Sequence, residues 1–506
     1  ESLNTRQTLF FEKIIIISFH KKMKLIFQKH HLLSSIVAVT LQSLLVVTLC
    51  HVGSGFVTLS SPSRLLQKLP TCFNQQKQHH SKRLNVVSKM NQQKSSSACA
   101  LEDIEKIYAI SDLHMDKIQN LQWLSSQQNT NDGTANTHNI PGPNDALIVA
   151  GDISHELSVL HKTLSTIVEK FQCKVFFVFG NHEAWVGGSE MDALGIKTSL
   201  EKIERVKGVC NELGVYTDYQ LVGENQQCPV WIVPIEGWYD GSLTIPDTND
   251  LCSNFNKWPW VDFFRCVWPE EHQPQIEHNG RIPVGLNERM LEWNTCAIDN
   301  LRADYRNRMF PKPDANEDNE APSSPLRSLI TFSHFLPNQQ CLPDWKDVNC
   351  ETFLKDEWFD HGAADTSAKF AKVAGSKNMD EQIRSIIPSS SSSSTLSEKN
   401  DVRHIHVFGH SHRPKDFTYK GVRYIHNPLG YSRERDMHMV SQDVNFQLIW
   451  DTTRAEGEVA GESVIRYWEE KGGGVEALQK RMILRRKKRG AVVRQLVEDT
   501  RKKVKK

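Results

Sequence analysis

Lys174-Val175-Phe176-Phe177-Val178-Phe179-Gly180-Asn181-His182-Glu183 runs from an unbroken apolar stretch straight into a glycine and three side chains that carry lone pairs or protons. An apolar run of this length with β-branched and aromatic residues reads as a buried strand, and the glycine closes it. Two earlier stretches repeat the design: residues 106–110 lead into Asp112-Leu113-His114, and 146–150 lead into Gly151-Asp152. Two later ones follow suit, 328–332 before Ser333-His334 and 404–408 before Gly409-His410-Ser411-His412. Each set of polar residues therefore sits where a strand passes into a loop. In open α/β sheets those carboxyl ends are where ligands bind, because side chains from distant parts of the chain converge there without disturbing the core.

The residue types define the chemistry. Two divalent cations about 3.5–4 Å apart need a ligand between them, and a carboxylate with two oxygens suits that position; Asp152 is the candidate. Asp112 and His114 stand two residues apart, so an extended backbone turns both to one side and lets them share an ion. His410 and His412 repeat the spacing and can each reach a different ion. Asn181 offers a carbonyl oxygen and His334 an imidazole. Such mixed ligation favours Mn, Fe or Zn over calcium or a thiolate-seeking metal.

The order D-x-H, G-D, G-N-H-[DE], an isolated His and G-H-x-H resembles the pattern of the calcineurin-like metallophosphoesterase superfamily. The resemblance implies an α/β fold, a four-layer α-β-β-α sandwich of the metallo-dependent phosphatase type with insertions. It also implies that Asp112, His114 and His412 hold one ion, that Asn181, His334 and His410 hold the second, and that Asp152 bridges. The implied reaction is in-line attack on phosphorus by a metal-bridging hydroxide, with His182 protonating the leaving oxygen. Protein phosphatases of this superfamily continue as G-D-x-x-D-R-G, whereas here Gly151-Asp152 is followed by Ile153-Ser154-His155-Glu156. A member of that group is not expected. Glu156 or His155 is the candidate to orient the acid in place of the missing Asp, and Arg413 is the candidate phosphate binder. The segment 424–435 resembles a plant and algal branch of the superfamily. The alternatives to a phosphoesterase are a catalytically silent, metal-stabilised scaffold and a nuclease or phosphodiesterase.

The chain's 506 residues carry a net charge of +1 that conceals a strong asymmetry. Residues 1–101 hold 13 Lys/Arg against 2 acids, and 477–506 hold 13 against 2, leaving 35 basic and 56 acidic side chains between them. An acidic core argues against nucleic acid as a partner, since such binding depends on many cationic phosphate contacts. The expected partner is a phosphorylated substrate of open class. Eleven cysteines with no C-x-x-C pair support neither a zinc ribbon nor a redox motif and read as buried free thiols.

The expected organisation is a targeting region over 1–101, a phosphoesterase domain over 102–452 and a basic tail over 453–506. From Met23 the chain has the layout of a signal peptide, with Lys24 and Lys29 before an apolar stretch at 32–49 and small residues at Gly53 and Gly55. Residues 56–101 contain no acid and seven Lys/Arg, and open with Phe56, as in the bipartite sequences that direct proteins into secondary plastids. The alternatives are a secretory signal with a basic linker, or an uncleaved membrane anchor. Residues 1–22 precede the first plausible start. Within the domain, helices are expected over 157–170 and 197–213, a strand over 230–235 and a hairpin turning at Lys420-Gly421. A Trp-rich insertion over about 231–310 is expected to pack mostly as core, with disordered inserts over about 311–325 and 388–400.

Overall fold

The computed structural model describes residues 101–127, 140–246, 248–275, 280–309, 328–345, 364–387 and 403–470, with Ile483. The targeting region, the two expected disordered inserts and nearly all of the tail beyond 470 lie outside the described residues. No helix among the described residues is long and apolar enough to cross a membrane.

Ten strands form two sheets: β1 Lys106–Ser111, β2 Asp145–Ala150, β3 Lys174–Val178, β4 Gln220–Val222, β5 Val230–Pro234, β6 Ser328–Phe332, β7 Arg403–Val407, β8 Lys415–Tyr419, β9 Val422–His426 and β10 Gln447–Asp451. The first sheet has the order β10-β1-β2-β3 and the second β4-β5-β6-β7-β9-β8. Pairing within β1-β2-β3 and within β5-β6-β7-β9 is parallel, and β10, β4 and β8 join antiparallel.

Side-chain alternation divides each central strand between two cores. Ile107 and Ala109 of β1 and Ala146, Ile148 and Ala150 of β2 face Ile232, Ile330, Phe332, Ile405 and Val407 of the opposite sheet. Tyr108, Ile110, Leu147 and Val149 point the other way, toward helices. On that outer face lie α2, Leu157–Phe171, and α3, Ser199–Leu213; a preceding helix α1 spans Ile118–Ser126. Helix α2 buries Leu157, Leu160, Leu164, Ile167 and Phe171, the three-and-four spacing of one helical stripe. Helix α3 starts where Thr198 accepts the Glu201 backbone N–H and stops at Gly214. The other sheet is covered by α4, Leu286–Met309, and α6, Lys377–Ser385, with α5, Ala364–Ala374, between them in sequence. Ile298, Leu301 and Ile383 pack there on Trp231, Val233 and Leu329. The result is the expected four layers of helix, sheet, sheet and helix.

Four of these six helices, α1, α4, α5 and α6, escape the periodicity reading, and in two of them the physical reason is the same. In α1 Asn120 occupies a buried position, donating to the carbonyls of Leu113 and Gly430. In α4 Asn294 interrupts the apolar stripe, accepting from the Glu236 N–H and donating to the Glu236 carbonyl. A buried asparagine paired to a distant loop looks like a surface residue in sequence. The Trp-rich insertion is correspondingly shorter than 231–310: β5 belongs to the sheet and α4 to the outer layer, so the irregular part begins after β5 and ends before Leu286. Trp231, Trp238 and Trp268 are buried as core, whereas Trp258 and Trp260 are only partly covered. The boundary at 452 also moves. Val464 pairs with Asp416 and Glu458 with Trp450, and Arg423 reaches both Asp416 and Glu458, so the chain remains part of the packed unit past 460. All seven described cysteines are free thiols.

Candidate metal centre

All five loops that leave β1, β2, β3, β6 and β7 open on the same edge of the sandwich. Non-glycine residues seldom take positive φ, because Cβ then crowds the backbone. Eight do so among the described residues, and five are Asp112, His114, Asp152, His410 and His412. The backbone is bent into a costly conformation at five of the candidate ligands, which is where strain is expected to be stored for function.

The side chains converge as two groups. One ligand atom each from Asp112, His114, Asp152 and His412 lie within 4.8 Å of one another, and so do those of Asp152, His334 and His410. Asp152 belongs to both. Asn181 joins the second group, its Oδ1 lying 3.1 Å from His334 Nε2 and 3.0 Å from His410 Nδ1. His182 belongs to neither group. Its backbone N–H donates to Asp152 Oδ1, and its ring lies against Trp185 with centroids 3.7 Å apart.

Hydrogen bonds assign the imidazole tautomers. His334 Nδ1 donates to the Ala150 carbonyl and His410 Nε2 to the Val373 carbonyl, so His334 Nε2 and His410 Nδ1 carry lone pairs, 3.2 Å apart. Asn181 spends its Nδ2 on Asp262, which leaves Oδ1 as the atom facing both rings. Three acceptors therefore meet with no proton between them. Across the site His412 Nδ1 is held by Glu434 at 2.8 Å, and its Nε2 stands 2.8 Å from His114 Nε2. Ligands at metal distances of about 2.0–2.2 Å stand roughly 3 Å from each other around a six-coordinate ion. The separations fit a cation in each cluster, and without one the second cluster is mutually repulsive.

Packing around the ligands explains the motif glycines. A Cβ on Gly180 would come within 2.3 Å of Asp152 Oδ1 and 2.8 Å of the His334 ring. At Gly151 it would lie 2.5 Å from His334 Nδ1, on a backbone already at φ +79°. The ring of His334 occupies the space that a side chain would take.

Electrostatics follow from burial. Burial pushes the His334 imidazole down to about 4, and burial with the neighbouring imidazoles holds His114, His182 and His410 well below the ordinary histidine range. These are neutral rings, the form that binds metals. Burial opposes the charge on His412 too, but Glu434 and Asp112 outweigh it and raise this one imidazole. Asp152 is pushed well above the carboxylate range by burial and by the Glu183 and Asp112 carboxylates beside it.

Five further residues complete the site. Glu183, fully buried, accepts the backbone N–H groups of Asp152, Ile153, Ser154 and Gly180. It ties the loop after β2 to the loop after β3. His426 Nε2 and the Ser111 hydroxyl both bond Asp112 Oδ2. Glu434 orients His412, and Asp262 orients Asn181. Glu183 lies inside the quoted motif without an assigned role, and His426 and Glu434 lie in the 424–435 segment. Asp262 has no motif around it. Nothing in its spacing marks it.

The candidate substrate residues fare differently. Glu156 is exposed, its carboxylate 3.8 Å from His155 Nε2, and His155 is half-buried beside Trp185. Neither hydrogen-bonds the His182 ring, whose Nδ1 is buried without a partner. Neither makes the bond that the expected orienting role requires; the ring instead lies against Trp185. Arg413 is buried, donates to the His412 carbonyl, and with His412 holds the half-buried Glu434 carboxyl at about 2 against the effect of burial.

No curated protein matches the chain. The phosphopantetheinyl hydrolase of Mycobacterium tuberculosis is similar at 19% identity over 69% of this chain and 96% of that one, with a TM-score of 0.43, too low to carry an argument. The family model for calcineurin-like phosphoesterases matches residues 105–414. That span is more than half of the chain and runs from β1 through the last of the five motifs, and the chain belongs to the calcineurin-like phosphoesterase family, as a phosphoester-hydrolysing enzyme.

Proposed function

We propose that the chain hydrolyses phosphate esters with two bound divalent or transition metal ions, Mn, Fe or Zn. Asp112, His114 and His412 would hold one, Asn181, His334 and His410 the other, and Asp152, which belongs to both clusters, would serve both. The observation that carries this reading is the meeting of three acceptor atoms, from Asn181, His334 and His410, at separations of 3.0–3.2 Å with their protons committed elsewhere. When bound, such ions supply an activated water for in-line attack and positive charge for the phosphoryl oxygens.

The chain's own residues do the rest. Asp152 belongs to both clusters, and the His182 N–H donates to its Oδ1 and holds it in place. His182 stands at the edge of the pair with Nε2 3.8 Å from Asp152 Oδ2, near enough to a bound ester to deliver a proton to the leaving oxygen. Burial and the imidazoles of His114 and His412 keep this ring neutral by itself, so the proton must come with the negative charge of the substrate phosphate. Trp185 confines the ring and leaves Nδ1 without a competing bond.

The test is hydrolysis of p-nitrophenyl phosphate and its bis ester by Mn-loaded full-length protein, with metal content measured on the same sample. About two ions per chain are expected, and Asp152→Asn should lower metal content and rate together, since an amide loses the charge that holds both ions. Full metal occupancy and rate in that variant would mean that the bridge is misassigned.

A further inference from the structure

The irregular, Trp-rich insertion does more than cover the domain. Its Asp262, 2% exposed, stands at the start of the helical turn Asp262–Arg265, far in sequence from any ligand motif. Its Oδ1 accepts Asn181 Nδ2 at 2.9 Å and Trp185 Nε1 at 2.7 Å, and its Oδ2 accepts Trp260 Nε1 at 2.8 Å. The Tyr239 hydroxyl adds a further bond. Asn181, Trp185 and Trp260 have separate places in the site. Asn181 is a member of the second cluster, Trp185 is the ring on which His182 lies, and Trp260 stands edge-on to His410 at 5.9 Å.

An asparagine differs from a carboxylate in one respect that matters here. Its oxygen and nitrogen are nearly the same size, so rotation by half a turn about the last bond would aim two N–H donors at His334 Nε2 and His410 Nδ1. Those donors would satisfy both lone pairs and close the cluster to a cation. A neutral second cluster thus has two states, one open to metal and one self-satisfied. Asp262 accepts only from N–H and not from the amide oxygen. Its carboxylate therefore selects the open state.

We infer that Asp262 is a positioning residue that keeps the second cluster competent for metal by fixing the Asn181 amide, and that the insertion is in this sense part of the metal centre. The inference rests on the two-metal reading of the site. It assigns the insertion a role in metal retention, and through Trp185 it ties the same carboxylate to the placement of His182.

The experiment uses full-length protein loaded with Mn and freed of excess, with metal counted per chain and the pair followed by electron paramagnetic resonance. Wild-type protein should show the signal of a spin-coupled Mn pair. Asp262→Ala should fall from about two ions per chain to about one, and its spectrum should become that of an isolated ion, because Asp112, His114 and His412 are untouched. A merely structural carboxylate would lower the melting temperature without removing one ion selectively. The exchanged pair Asn181→Asp with Asp262→Asn restores the contact to residue 181 in reverse, since the amide at 262 donates to a carboxylate at 181 that has no wrong orientation, while the Trp185 Nε1–H that shared this oxygen loses its acceptor. It should regain the coupled pair, and it decides the matter should Asp262→Ala fail to fold. A coupled pair that persists in folded Asp262→Ala, or an exchanged pair that stays at one ion or fewer, overturns the role of Asp262 alone. No coupled pair in the wild type overturns the two-metal reading and this inference with it.

Discussion

Replacing Glu183 by Gln changes one oxygen to a nitrogen and leaves volume and shape intact, so its effect isolates the hydrogen bonds. Oε1 accepts Ile153 N–H at 2.8 Å and Ser154 N–H at 3.0 Å; Oε2 accepts Gly180 N–H at 2.7 Å and Asp152 N–H at 3.0 Å. Whichever way the amide turns, its NH2 group faces two backbone N–H donors. Those two are left unsatisfied in a fully buried place, at roughly 1–3 kcal/mol each, or about 2–6 kcal/mol in total. A domain is stable by only about 5–15 kcal/mol, so the loss is a large share of it. It also falls on the two loops that carry Asp152 and Asn181, so metal retention should weaken along with the fold. The assay is urea unfolding of metal-free protein, reading the midpoint at unchanged slope, followed by metal counting on the loaded protein. A Glu183→Gln variant within about 0.5 kcal/mol of wild type, with full metal content, would refute the claim that this carboxylate clamps the two loops.

His182→Gln should keep metal content and fold while slowing hydrolysis of a poor alkyl leaving group by roughly 10²–10⁴-fold, and slowing p-nitrophenolate release far less; equal losses on both substrates, measured by steady-state rates, would remove it as the acid. His406 is buried and His404 half-buried in a network with Thr331 and Ser333, burial pushing His404 down to about 3 and His406 well below its ordinary range. Both are neutral when folded and take protons only when unfolded, so their stability contribution is complete above about 6.5 and is lost as pH falls toward the folded values. Each should remove on the order of 2 kcal/mol between pH 7.5 and 5. His404→Gln should flatten the pH dependence of the urea midpoint relative to wild type, and an unchanged slope would contradict the assignment. For the leading segment the proposal is plastid import: a fluorescent fusion of residues 23–101 should reach the plastid and Phe56→Ala should stall it earlier, whereas cytosolic fluorescence from the intact fusion would refute both steps.

The strand ends, the ligand types and their order are local properties, and local properties are written in the chain. An apolar run such as 174–178 needs no partner to declare itself a buried strand, and the i, i+2 spacing of Asp112 and His114 or of His410 and His412 turns side chains together on any extended backbone. That is why the layers, the helices α2 and α3 and the seven candidate ligands can be read from the sequence. The supports of those ligands were not. Asp262 meets Asn181 across 81 positions, and His426 meets Asp112 across 314. Buried Asn120 and Asn294 look like surface residues until the loop they bond is seen, and Glu156 looks like a partner for His182 until the fold leaves it exposed. A hydrogen bond between distant residues depends on distance and angle in three dimensions and leaves no period in the sequence. The chain's own pattern therefore determined which atoms could bind metal, and only the folded structure decided which lone pairs were left free to do so.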